Sequence, residues 1–175
     1  YWSSELDKKL LATALRELGN PLPLWQSEWC QMEGGKDFGM DPALVLARCV
    51  HEDLTILDCT AWQTWIAVTR YDYKDGLLHA DPATKTVTDM KRLWALGNWS
   101  RFVRPGHVRI GATSPTDNLL VSAWLSPQDG QTVLVVVNES TEVIAADLPE
   151  ASGYTAWETS ETKDLAQVSM GSGTS

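Results

Sequence analysis

The sequence predicts a chain in two parts: the closing helix–strand units of an α/β barrel, then an antiparallel β-sandwich. Three observations lead there. Stretches of helical period first alternate with short runs rich in β-branched and aromatic residues. After Pro105 the texture changes, and short strands follow one another without an intervening helix. The composition is globular, since 43% of the 175 residues are hydrophobic and 21% are charged. No apolar run approaches the roughly 18 residues that a spanning helix needs. A formal net charge of -9 argues against a nucleic-acid partner, which calls for clustered Lys and Arg.

The elements follow in order. Ser3 or Ser4 caps a first helix, with Asp7 in its first turn. Leu6, Leu10, Leu11, Ala14 and Leu18 form its apolar stripe, and Gly19, Asn20 and Pro21 stop it. Residues 22–28 read as a short buried strand that ends on the carboxylate of Glu28, and a Gly-rich loop follows over residues 32–40. Asp41 as cap and Pro42 in the first turn start a second helix, which runs through Leu46, Cys49, Val50 and Asp53 toward Leu57. Residues 59–68 have strand composition. Residues 70–85 read as a long loop, and such loops in compact domains are functional or disordered. Thr88 caps a third helix through Met90, Leu93, Trp94 and Leu96 to Trp99; the basic residues in and after it are solvated or tie the two parts together. Strands then cover residues 107–110, 119–125 and 132–137, with a turn at Pro127, Gln128, Asp129 and Gly130. Two more cover 142–148 and 154–159. The expected division is 1–104 for the barrel part and 105–175 for an incomplete sandwich.

Two features carry chemistry. Glu28 sits at the C-terminal end of a strand, flanked by Trp25 and Trp29, before the Gly-rich loop. In a (β/α)8 barrel that end of the strands holds the active site. A capping or ion-paired glutamate would look the same. One unit later, Ala61, Trp62, Gln63, Thr64 and Trp65 bring two indoles to the next strand, either as core or as walls of a sugar site. Nine Trp against two Phe fit stacking on the C–H face of a pyranose, although most Trp side chains serve packing. Cys30, Cys49 and Cys59 lack metal-site spacing, and His51, His79 and His107 are scattered, so no metal or cofactor is expected.

These segments together resemble glycoside hydrolase family 30. Trp25, Gln26, Ser27 and Glu28 look like the nucleophile strand, the seventh of that family's barrel. Ala61 to Trp65 look like its eighth strand. Asp75, Gly76 and Leu77, and the stretch 91–106, are similar to the last barrel helix and the start of the side sandwich. Tyr1, Trp2 and Ser3 resemble the segment after strand six.

The resemblance implies a retaining O-glycosyl hydrolase acting on β-linked polysaccharide or oligosaccharide by double displacement. Glu28 would be its nucleophile, and Trp65 would line the subsite of the reacting sugar. Trp62 and Trp29 are candidates for neighbouring walls. Tyr71 either donates a hydrogen bond to a sugar hydroxyl or anchors its loop. The family's acid/base Glu follows an Asn at the end of strand four, and no such segment occurs here. The expected partners are therefore a carbohydrate substrate and the N-terminal half of the barrel, with no nucleic acid and no membrane span.

General acid–base help is worth roughly 10²–10⁴-fold, so these residues alone are expected to be inactive. The resemblance also implies a secreted or periplasmic protein, although the sequence shows no signal peptide. The loop Arg70, Tyr71, Asp72, Tyr73 and Lys74 is most similar to the polysaccharide-degrading members, and endo-β-1,6-galactanase is the favoured activity. β-1,6-Glucanase, xylanase, glucuronoxylanase and β-xylosidase activities stay open, as does a non-catalytic carbohydrate-binding protein. A structural β-sandwich with a helical lead would leave the strand-end Glu28 without a purpose.

Overall fold

The computed structural model describes residues 4–20, 22–146, 148 and 153–169. Ser3, Pro21 and the segment Tyr1, Trp2 and Ser3 lie outside them. The chain forms two units, Tyr1–Leu96 and Gly97–Ser175.

The first unit opens with helix α1 (Glu5–Glu17), fixed by a capping box. Asp7 N donates to Ser4 Oγ at 3.2 Å, and Ser4 N donates back to the Asp7 carboxylate at 2.8 Å. Hydrogen bonds from Ser4 hold the Asp7 carboxyl below its ordinary value. The expected core face of this helix is reversed. Leu6, Leu10, Leu11, Ala14 and Leu18 are exposed, whereas Lys8 is buried and Ala12 and Leu15 are half-buried. Lys8 Nζ lies 2.8 Å from Asp53 and 2.9 Å from Glu52, both on helix α2 (Met40–Thr55), against which α1 packs.

Strand β1 (Trp25–Trp29) pairs in parallel with β2 (Ala61–Thr64), and α2 is the crossover between them. Helix α2 starts two residues earlier than expected. Gly39 is its cap, held by Asp37 Oδ1 at 2.8 Å, and Asp41 lies within the first turn, where a negative charge suits the helix N-terminus. Ala43, Leu46, Ala47, Val50 and Asp53 form its buried face. The strand β1 is less buried than expected, because Trp25 and Ser27 are exposed.

Past Thr64 the chain leaves the pair through a cis Trp65–Ile66 peptide and enters a small sheet. Strand β3 (Val68–Thr69) lies parallel to β4 (Leu78–Asp81), which is antiparallel to β5 (Thr86–Asp89). The expected long loop therefore holds half a hairpin. Its tight turn follows from Asp81, whose carboxylate accepts Ala83 N at 2.8 Å, and from Lys85 in the left-handed region at φ 58°. Thr88 belongs to β5 and caps nothing. Helix α3 (Lys91–Ser100) begins after the fully buried Met90.

In the second unit, β6 (Val108–Ile110), β7 (Leu119–Leu125) and β8 (Thr132–Asn138) form an antiparallel sheet. Leu119, Ser122, Ala123 and Trp124 are the buried residues of β7, and the three consecutive ones place burial on both faces of this strand. The β7–β8 turn closes through Ser126 N to Gln131 O at 2.8 Å. A second antiparallel pair joins β9 (Ala156–Ser160) to β10 (Lys163–Val168), a strand the sequence did not announce. Residues 142–146 and 148, expected as a strand, form none. Side chains of Asn138 and Ser140 take the backbone groups of Glu142, and Val143 is 98% exposed. The end of α3 meets the β9–β10 pair closely. A β-carbon at Gly97 would stand 3.0 Å from Leu165, and Asn98 donates to Thr159 at 3.0 Å. Arg101 is exposed, with its guanidinium 4.2 Å above the Trp157 ring.

Candidate active site

Glu28 stands half-buried on β1, one position before its C-terminal end. Its strand is tied to β2 at both ends. Thr60 N donates to Leu24 O at 2.8 Å, and Trp65 N donates to Trp29 O at 2.7 Å. Between these ties the pairing is regular at Gln26 with Trp62, then irregular until Trp29 with Thr64. Ser27 and Glu28 occupy the irregular stretch. Trp65 follows β2 at the same end and is 46% exposed, an open indole face beyond the strand carrying Glu28.

Trp29 and Trp62 are placed differently. Trp29 is buried, and its ring lies 6.0 Å from that of the half-buried Trp62 at 40°. The Trp62 N–H donates to Asp53 Oδ2 at 2.8 Å, which pins this indole toward α2. Tyr71 is exposed, with its ring 6.4 Å from Tyr73 and the Arg70 guanidinium 5.4 Å from its centroid.

A second carboxylate, that of Asp75, acts on the same strand end. Burial, then the negative charges of Glu28 and Asp75, push the Cys30 thiol above its ordinary value. Asp75 is buried, and its carbonyl accepts Ile66 N at 2.7 Å, beside Trp65. Among the described residues, Asp75 Oδ1 and Gln31 Oε1 are buried without a hydrogen-bond partner. No group of three His, Cys, Asp or Glu among the described residues is placed to hold a metal.

The loops beyond the strands are fixed by Arg92, one of the basic residues expected to be solvated or to tie the two parts together. It is buried and donates through Nε to Gly76 O at 2.9 Å and through Nη1 to Asp37 O at 3.3 Å. Burial lowers its pKa to about 10 against the opposing pull of Asp75 and Asp37. Lys91 N adds a bond to Phe38 O at 3.0 Å, and Met90 N one to Leu77 O at 3.1 Å. Gly34 and Gly35 adopt φ of 64° and 74°, a turn that lets Lys36 N reach Asp72 at 2.9 Å. Gly34, Lys36, Asp37, Phe38 and Lys74 line an open hollow of about 470 Å³ there.

Lys8 and Asp53 are the other residues whose importance was not read from the sequence. The one available signal was Asp53 itself, a charge in helical phase with Leu46 and Val50. Burial would depress the Lys8 ammonium, but hydrogen bonds to Asp53 and Glu52 outweigh it and raise its pKa.

A half-buried carboxylate near the C-terminal end of a parallel strand, and an exposed indole just after the neighbouring strand, lie where (β/α)8 enzymes carry their active-site residues. The pattern of O-glycosyl hydrolase family 30 matches residues 5–79, and that of the glycosyl hydrolase family 30 beta sandwich domain matches residues 106–164. The chain belongs to glycoside hydrolase family 30.

Glucuronoxylanase XynC of Bacillus subtilis (strain 168) is 30% identical over 128 residues, which are 70% of this chain and 28% of that protein. A solved structure, that of a conserved exported protein from Bacteroides fragilis, matches with a TM-score of 0.79 at 25% identity, over 95% of this chain and 40% of that one. A GH30 endoxylanase from Clostridium papyrosolvens C71 matches with a TM-score of 0.72 over 97% and 41%; at 19% identity this likeness concerns the fold. The chain thus spans 28% to 41% of the length of these relatives. Among the described residues, no helix is long and apolar enough to cross a membrane.

Proposed function

We propose that these residues form the nucleophile-bearing part of a secreted, retaining β-glycosidase that cleaves polysaccharide. The observation that carries this reading is Glu28, half-buried at the C-terminal end of β1 with the open face of Trp65 at the same end. In such enzymes two carboxyl groups stand about 5–5.5 Å apart across the scissile bond. Glu28 attacks the anomeric carbon as the bond to the leaving oxygen breaks, and the second carboxyl group gives its proton to that oxygen. Water then attacks the same carbon, the ester to Glu28 breaks, and the water proton returns to the second group. A segment outside these 175 residues supplies that group. We assign the barrel part to residues 1–104 and the sandwich part to 105–175, a division supported by the sandwich pattern starting at 106.

Trp65 stacks on the reacting sugar, and Tyr71 donates to a hydroxyl. Trp29 and Trp62 back this site from behind β1 and β2. The related glucuronoxylanase makes xylan the first substrate to test. Endo-β-1,6-galactanase is the second reading, supported by the composition of the loop Arg70, Tyr71, Asp72, Tyr73 and Lys74.

The test uses the full-length protein on xylan, glucuronoxylan and β-1,6-galactan, and a 2,4-dinitrophenyl 2-deoxy-2-fluoro-β-glycoside of the sugar that is cleaved. A covalent adduct mapped to Glu28 by peptide mass spectrometry is expected. Hydrolysis without labelling at Glu28, or full activity in Glu28→Ala, refutes the assignment. Sugar binding without any hydrolysis makes this a carbohydrate-binding protein.

A further inference from the structure

Asp53 is fully buried, at 0% exposure, yet it lies on a helix behind the strands and touches no substrate face. A buried carboxylate must be matched by donors. Here they come from every neighbouring element. Lys8 of α1 pairs with Oδ1 at 2.8 Å. Trp62 of β2 donates to Oδ2 at 2.8 Å, Gln26 of β1 at 3.4 Å, and Cys49 of α2 itself at 3.5 Å.

Two of these donors flank the nucleophile. Gln26 precedes Glu28 by two positions. Trp62 packs against Trp29, the residue after Glu28. The strand ladder is regular up to Gln26 and resumes at Trp29, so it does not itself fix the backbone at Glu28. Asp53 holds the residue before the irregular stretch directly and the residue after it through Trp62. Through Trp62 it also holds the strand that delivers Trp65.

We infer that Asp53 is a positioning residue, setting where the Glu28 carboxylate stands relative to Trp65 through its hydrogen bonds to Gln26 and Trp62. This rests on Glu28 being the nucleophile. Its effect falls on the attack step rather than on substrate binding, because none of its partners faces the sugar. A displacement of about 1 Å at an attacking group can cost on the order of 100-fold in rate.

The experiment compares wild type, Asp53→Asn and Trp62→Phe in the full-length protein. It reads kcat and KM on the polysaccharide that is cleaved, the rate of adduct formation with the fluorosugar, and the melting temperature. Asp53→Asn keeps the shape and one acceptor but removes the charge. Trp62→Phe keeps the ring and removes only the N–H. Both are expected to slow kcat and adduct formation together, Asp53→Asn by about tenfold or more, with KM within about twofold.

The double variant is expected to be no slower than Asp53→Asn alone, because both act along one path. Wild-type kcat and labelling rate in a folded Asp53→Asn that merely melts earlier would make Asp53 a stability residue and overturn the inference. If Asp53→Asn does not fold, Trp62→Phe decides: a slowed attack at unchanged melting temperature supports it, and wild-type kinetics overturns it. Absence of labelling at Glu28 in the wild type refutes the nucleophile assignment itself. Labelling of wild type with unaltered rates in the variants refutes only the role of Asp53.

Discussion

Replacing Lys8 with Met tests how the first helix is held. In wild type the Lys8 side chain is 4% exposed, and its partners are Asp53 at 1% and Glu52 at 12%. Removing one partner of a buried ion pair costs about 3–5 kcal/mol, because the remaining charge is left unpaired. Glu52 can turn toward solvent, while Asp53 cannot and keeps only Trp62, Gln26 and Cys49. The loss therefore falls near the lower end, about 3 kcal/mol. For a domain of this size that is roughly 6–12 °C in melting temperature. Lys9→Met is the control, since Lys9 is 59% exposed and its pair with Glu5 is worth well under about 1 kcal/mol.

The assay is thermal melting of the full-length protein by circular dichroism from pH 7 to 11. The folded pKa of Lys8 is raised above the ordinary 10.5, so its contribution is complete below that value. The gap between wild type and Lys8→Met stays constant from neutral pH to roughly 10 and narrows only as pH passes through the raised value. A Lys8→Met variant no less stable than Lys9→Met would refute the reasoning.

Three other outcomes are expected. Trp65→Ala raises KM about tenfold with a smaller change in kcat, because the open indole serves binding; steady-state kinetics check it, and an unchanged KM counts against sugar stacking. Arg92→Met leaves the carbonyls of Gly76 and Asp37 without their donor, lowers stability by about 2 kcal/mol and speeds proteolytic cleavage within residues 32–40 or 70–77. Burial, then the negative charge of Asp53, pushes Cys49 from 9.0 up to about 12 and Cys59 up to about 11. Their contribution to stability is complete below pH 9 and is lost as pH rises through the folded values. Iodoacetamide at pH 8.5 should therefore label both thiols slowly in the native protein and rapidly in urea; equal rates would contradict the burial.

The strands β2, β7 and β8 and the bodies of the helices α2 and α3 were legible from the period of their apolar residues, while β1 was legible as a strand but not in its burial. Glu28 was visible because a carboxylate between indoles at a strand end conflicts with simple packing. Helix α1 misled for the opposite reason. Its leucine row is a local signal, whereas the face turned to α2 carries Lys8, whose partners Glu52 and Asp53 lie outside any window along the chain. The β4–β5 hairpin was hidden among polar turn residues, and its register depends on pairing with β3. Arg92 resembled a surface charge until Gly76 and Asp37, distant in sequence, supplied its acceptors.

The way the loops are fastened has an evolutionary consequence. Arg92, Lys91 and Met90 hold residues 37, 38, 76 and 77 through their main-chain carbonyls. A carbonyl is the same whatever side chain it carries. Lys36, Tyr71, Tyr73 and Lys74 can therefore be exchanged by mutation without loosening the fastenings beneath them. Gly76 is barred from such drift, since a β-carbon there would lie 2.5 Å from Thr69 Cγ2, and Gly34 and Gly35 are held by their positive φ. A rim built on these terms can change its side chains while the loops beneath keep their course.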